Sequence, residues 1–188
     1  MSFIRRHLKE RHVDLDRTRL VIDDKTDQAT FLCFNLLGQL IGFQKYNPHG
    51  EKAHHNKRET SKYFTCVSER HRYAQAWGLD TLHYRSDVLY VTEGVFDAVR
   101  LHNLNLPAIA TFTNSPPDAL RDYLRLLPHK IVGILDNDSN ASGSKLEGFC
   151  DEFYYTPDPY KDLGEMPESA LLRFINKIDK CVYKVEEG

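Results

Sequence analysis

The chain has no apolar run long enough to cross a membrane. Its longest runs, such as Val88-Leu89-Tyr90-Val91, are a fraction of the roughly 20 residues a spanning helix needs. Met1-Ser2-Phe3-Ile4-Arg5-Arg6 is not followed by the apolar core of a signal peptide, so a cytoplasmic protein is expected. Cysteine is sparse and scattered. Cys33, Cys66, Cys150 and Cys181 form no CxxC or CxH pair, so a zinc ribbon is excluded and no zinc is expected. Their wide spacing points to reduced, mostly buried thiols. His54-His55 lacks cysteine partners and helical spacing, so it makes a poor metal site. Internal repeats, heptads and low-complexity tracts are missing, which excludes solenoids and coiled coils. What is present is ordinary for a globular protein. There are 188 residues, 41% hydrophobic and 28% charged, enough for one large domain or two small ones.

The net charge of −2 conceals an asymmetry. Residues 1–85 carry 15 Lys+Arg against 10 Asp+Glu and seven of the nine histidines; residues 86–188 carry 10 against 17. Such a split suits a basic part that holds a polyanion and an acidic part that holds cations. Uneven surface charge without function is the plainer alternative.

The two halves also differ in pattern. Residues 1–25 read as a charged, partly helical lead-in, with Ile4, Leu8, Arg11 and Leu15 at approximate helical spacing. Thr30–Asn35 and Leu40–Tyr46 read as strands joined by the Gly-containing turn Leu36-Leu37-Gly38-Gln39, hence a hairpin. Residues 51–61 form a polar, His- and Lys-rich loop expected to be mobile. Tyr63–Val67 is a further strand, and Arg70–Trp77 a helix stopped by Gly78. From Ser86 onward strand and helix alternate. Strands are expected at 88–92, 108–112, 130–135 and 152–155. Helices are expected at 95–104, from Pro116, at 145–149 and at 168–178. A βαβαβαβ order implies a parallel sheet covered by helices. The fold class is therefore α/β, with a small basic α+β subdomain (1–85), an α/β domain (86–166) and a C-terminal helix and tail (167–188).

The chemistry sits where two strands stop. Val88–Thr92 ends in Glu93-Gly94-Val95-Phe96-Asp97, and Ile131–Leu135 ends in Asp136-Asn137-Asp138. Open α/β sheets build sites at the carboxyl ends of their strands. Neighbouring parallel strands would bring Glu93, Asp136 and Asp138 together, and such a cluster repels itself unless cations sit in it. Asp97 lies one helical turn beyond Glu93 and faces the same place. An all-oxygen set favours Mg²⁺ (or Mn²⁺), with two ions a natural arrangement for phosphate chemistry. Taken singly, each acid has a plainer account: Glu93 as a helix N-terminal acid, Asp97 as a solvated one, Asp136 and Asp138 as turn formers.

Together the motifs resemble a known family. Glu93-Gly94-Val95-Phe96-Asp97 resembles the EGxxD motif of the Toprim domain and Asp136-Asn137-Asp138 its DxD motif, in the order that fold requires. Lys161-Asp162-Leu163-Gly164-Glu165 resembles the KDxxE stretch that follows in primases, although Asp162 and Glu165 also read as surface charges. Ahead of these, Phe31–Tyr46 is similar to the glycine-containing hairpin of primase catalytic cores. Lys62-Tyr63-Phe64-Thr65 resembles their KY segment, and Trp77-Gly78-Leu79-Asp80 the stretch leading into Toprim. The resemblance to DnaG-type and phage primase cores implies catalytic residues Glu93, Asp136 and Asp138, and metal ligands Glu93, Asp97, Asp136, Asp138 and Asp162. It implies Lys45, Lys62, Arg70 and Arg72 as contacts to nucleic acid or nucleotide, with the spacing of the two arginines irregular. Tyr46 and Tyr63 either stack on bases or pack in the core.

The implied activity is synthesis of short RNA primers on a single-stranded DNA template from nucleoside triphosphates. The primase zinc module and helicase domain are not expected here, so start-site choice would fall to a helicase or other replication protein. Stripped cores of this kind are carried by phages and mobile elements. The stretch between Asp138 and Asp162 is short, and Thr113-Asn114-Ser115-Pro116 stands where primases carry glycines. Two other readings stay open: a metal-dependent nuclease of OLD or ribonuclease M5 type, and a primase relative that binds nucleic acid or a replication protein without turnover.

Overall fold

The computed structural model describes residues 1–52, 57, 60–84, 86–113, 115–137 and 145–184. Two four-stranded sheets organise them. The first is antiparallel, in the order β1-β2-β3-β4: β1 Leu20–Asp23, β2 Gln28–Phe34, β3 Leu40–Tyr46 and β4 Tyr63–Val67. The second is parallel, in the order β6-β5-β7-β8: β5 Val88–Thr92, β6 Ala108–Ala110, β7 Lys130–Leu135 and β8 Glu152–Tyr155. The helices are α1 Phe3–Glu10, α2 Val95–Asn103, α3 Asp118–Leu124 and α4 Glu168–Lys184.

Burial follows the two sheet types. Every residue of β5 is buried, as a central parallel strand covered on both faces must be. In β2 burial alternates, so Ala29, Phe31 and Cys33 face inward while the residues between them do not. One continuous hydrophobic cluster runs from α1 through both sheets to α4. Its junction is aromatic. The Phe96 ring in α2 meets Phe31 of β2 edge-on at 5.6 Å and Tyr46 of β3 at 4.9 Å, and Phe31 meets Trp77 at 6.0 Å. The β2–β3 turn is held by Asn35, which is buried. Its Oδ1 accepts from the Leu37 and Gln39 amides, and Gly38 takes a left-handed φ of 73°.

The alternating order after Ser86 is as expected, and several boundaries are not. β1 was absent from the sequence reading, in which residues 1–25 are a lead-in. It is a four-residue edge strand flanked by Asp23-Asp24, too short to show a period. Residues 69–74 form a 3₁₀ turn rather than a helix over 70–77, with His71 at non-helical angles. Strand 108–112 stops at Ala110, because Phe112 adopts a φ of 65°. Residues 145–149 form turns, not a helix, and α4 continues to Lys184. Most of the basic loop, including His54-His55, lies outside the described residues.

Gly78 does more than stop a helix. Trp77 pairs with Ala110 through two backbone hydrogen bonds, 3.0 and 2.9 Å, and so adds a bridge to the open edge of β6. To turn away from it, Gly78 takes a φ of 96°, and a Cβ there would stand 2.3 Å from the Ala108 carbonyl oxygen. Gly78→Ala should therefore lose stability by about 1–3 kcal/mol or more. A lowered urea midpoint with an unchanged slope would show it; an unchanged midpoint would refute the role given to this glycine.

Candidate functional site: a carboxylate cluster at the edge of the parallel sheet

β5 and β7 are neighbours in register, Thr92 opposite Ile134, so both release their chains at the same edge of the sheet. Glu93 follows Thr92 and Asp136 follows Leu135, and both are half-buried. Gly94 caps α2 with ordinary extended angles, φ −101° and ψ 144°. This glycine serves close approach: the Asp97 carboxylate folds back to 2.7 Å from where a Gly94 Cβ would sit.

Asp97 is the centre of the cluster. It is 8% exposed, and its Oδ1 accepts a backbone hydrogen bond from Gly164 at 3.3 Å. Burial first, then the carboxylates of Asp136 and Asp162, push its pKa up to about 8; the Gly164 amide and Arg11 oppose the rise. Asp162 is brought in by a locally self-satisfied turn. Its side chain accepts from the Glu165 amide at 3.0 Å, while Glu165 reaches back to the Lys161 amide at 2.9 Å. The Lys161 carbonyl in turn accepts from the Asn137 amide at 2.7 Å, which ties this stretch to the end of β7. Asn137 points elsewhere, to Asp158 at 2.8 Å.

Thus Asp136 and Asp162 each lie within electrostatic reach of Asp97, and Glu93 leaves β5 at the same edge. Asp138 lies outside the described residues. Among the described residues no three His, Cys, Asp or Glu side chains stand close enough to hold a metal ion as they are. The donor set nevertheless fits a hard divalent cation. It is all oxygen, and a buried carboxylate raised by its acidic neighbours is what a cation would relieve.

The basic residues divide. Lys62 is half-buried, and its ammonium is lowered by burial and by the nearby charges of Lys52 and Arg11. Lys45 pairs with Thr30 and Phe64 on the sheet face opposite Tyr46, away from the Phe96 junction. Arg70 and Arg72 are exposed on the 3₁₀ turn, Arg72 facing Glu69 at 3.6 Å. Tyr46 is buried at the Phe96 junction, with His7 on its hydroxyl at 2.7 Å. Tyr63 is 37% exposed; burial, Tyr46, Asp97 and Asp162 all raise its hydroxyl. It is the aromatic that shares the field of the acids.

Arg11 was missed as a site residue. Its guanidinium lies over the Phe96 ring at 4.3 Å, its Nε is buried without a hydrogen-bond partner, and its charge acts on Asp97, Lys62 and Tyr63. The signal was legible: Arg11, the residue that caps α1, continues the Ile4–Leu8 spacing, and an arginine on an apolar stripe has to find something inside.

No family model and no curated protein matches this chain. Solved structures do, and they define the class: the fold is that of a primase catalytic core. The DnaG catalytic core is 16% identical with a TM-score of 0.64, covering 92% of this chain and 72% of its own. A DnaG primase catalytic domain bound to single-stranded DNA is 18% identical with a TM-score of 0.60, covering 92% and 58%. The primase fragment of the bacteriophage T7 primase-helicase is 13% identical with a TM-score of 0.53, covering 88% and 64%. The chain thus spans about three fifths to three quarters of the length of these relatives.

Asp97 yields a pH prediction. An unfolded aspartate titrates near 3.8 and folded Asp97 near 8, so between these values the folded state holds the extra proton. Its contribution to stability is present at low pH and is lost as pH rises through this window. In metal-free protein, melting temperature should fall relative to Asp97→Asn between about pH 4 and pH 8. Parallel melting curves for the two proteins would contradict the assignment.

Proposed function

We propose that this protein is a primase-like nucleotidyltransferase that makes short RNA primers on single-stranded DNA with Mg²⁺ or Mn²⁺. The observation that carries the reading is buried Asp97 with Asp136 and Asp162 beside it, at the strand edge of a primase-core fold. Glu93, Asp97, Asp136, Asp138 and Asp162 would hold the ions. When bound, they would supply charge neutralisation at the triphosphate and a lowered pKa at the attacking hydroxyl. In the reaction a 3′-hydroxyl attacks the α-phosphorus of the incoming nucleotide. A P–O bond forms, the bond to the leaving pyrophosphate breaks, and the hydroxyl proton passes to Glu93 or to solvent.

Arg11 and Lys62 are the cations best placed for the triphosphate, since each lies in the field of the acid site or of the other. Lys45, Arg70 and Arg72, further out, suit the template backbone. In this proposal residues 1–85 grip the polyanion, 86–166 carry the chemistry, and a helicase or other replication protein supplies the start site. Among the described residues no helix is long and apolar enough to cross a membrane, which suits a reaction carried out in the cytoplasm. A phage or mobile-element origin is part of the same proposal.

The test is incorporation of labelled ribonucleotides on a single-stranded template with Mg²⁺ or Mn²⁺. Incorporation should occur and should vanish in Asp136→Ala. A signal that survives Asp136→Ala would sink this site, and cleavage of nucleic acid without incorporation would favour the nuclease reading. Arg11→Gln should lower incorporation roughly tenfold or more, mainly through a higher KM for nucleotide, by removing a charge-assisted contact to phosphate. An unchanged KM would remove Arg11 from the triphosphate site.

A further inference from the structure

A cavity of about 310 Å³ opens between the end of α1, α2 and the start of α4. None of the carboxylates of the catalytic edge lines it. Its wall holds three cations, Lys9, Arg17 and Arg100. Among the described residues none of the three is in an ion pair, whereas Arg5, Arg19 and Arg121 each face a carboxylate within 4 Å. Arg17 spends its guanidinium on neutral oxygens, Asn105 Oδ1 at 2.7 Å and the Tyr84 hydroxyl at 3.4 Å.

Arg100 is the unusual member. It is 4% exposed, and its Nη2 donates to the Met166 carbonyl at 2.5 Å, but its Nε is buried with no acceptor. A buried guanidinium with an unused donor is costly unless an anion completes it. The two carboxylates in the wall fall short of that. Asp14 is engaged by the amides of Asp16 and Arg17, and Glu168, exposed at the start of α4, acts on Arg100 through space without a salt bridge.

We propose that this cavity is a binding site for a phosphate-class anion, held by Lys9, Arg17 and Arg100. Three convergent cations against two carboxylates leave it net positive, and forked guanidinium donors match phosphate oxygens. The phosphate can come from a free polyphosphate or from a nucleic-acid backbone. The wall shares no residue with the acid edge, although the Asp97 charge reaches Arg100 through space, so the proposal stands whether or not the protein makes primers.

Metal-free protein in low salt at neutral pH is titrated with pyrophosphate and, separately, with a short single-stranded oligonucleotide, by calorimetry and thermal shift. The comparison variants are the double substitution Lys9→Gln/Arg17→Gln, at two exposed side chains whose change leaves the core intact, and Asp136→Asn at the acid edge. Saturable binding is expected that weakens roughly tenfold or more in the double variant and persists in Asp136→Asn. The probe that shows it identifies the source of the phosphate. Absence of saturable binding by both probes, binding indifferent to the double variant, or binding lost in Asp136→Asn would each overturn the proposal.

Discussion

Everything near the acids depends on how the Phe96 ring is held. It projects from the first turn of α2, one residue before Asp97, into the interface between the two sheets. Phe31 and Tyr46 pack against it from the antiparallel side, and the Arg11 guanidinium lies over it. A side chain that serves as core packing thereby sets the position of the carboxylate beside it. The same contact delivers Arg11, from the N-terminal helix, into the field of a cluster built by the parallel sheet. Among the described residues the basic and acidic halves of the sequence meet through an aromatic junction rather than through ion pairs.

The electrostatics follow from that geometry. Asp97 is buried because α2 packs its first turn against the sheet edge and Gly94 leaves room for the carboxylate to fold back. Asp136 arrives by strand register, and Asp162 by a turn whose own side chains satisfy its backbone. Three acids from three elements converge, and burial first, then repulsion from the other two, raises the pKa of the most buried of them. A divalent cation would turn that cost into binding energy, because metal and proton compete for the same carboxylate. The Arg100 cavity is built on the same helix, three residues along, with the sign of charge reversed.

Much of this was legible in the chain. The alternating order after Ser86, the all-apolar strand Val88–Thr92 and the acids at strand ends each carry a local signal, and the sheet forms with its strands parallel as read. Features without a local signal were misplaced. β1 is too short to show a period, the turn at residues 69–74 has the composition of a helix, and Phe112 ends a strand by a backbone angle that no residue pattern announces. The direction in which a cation faces carries no local signal either, since a lysine or arginine in a strand or turn looks the same whichever way the sheet faces it. Register pairs Lys45 with Thr30 on the sheet face away from Tyr46, and only through-space charge connects Arg11 to Asp97 and Lys62 to Arg11.

By itself, then, the sequence determined the elements and the carboxylates they end in, because strand and helix periods and terminal residues are local properties. It also placed Arg11 on an apolar stripe but did not say what that arginine would meet. Tertiary structure alone decided which acid is buried, that Arg11 reaches Asp97, and that Gly94 leaves room for the Asp97 carboxylate. Those outcomes depend on distances between segments far apart in the chain, and burial and Coulomb energy are properties of such distances rather than of any stretch of residues.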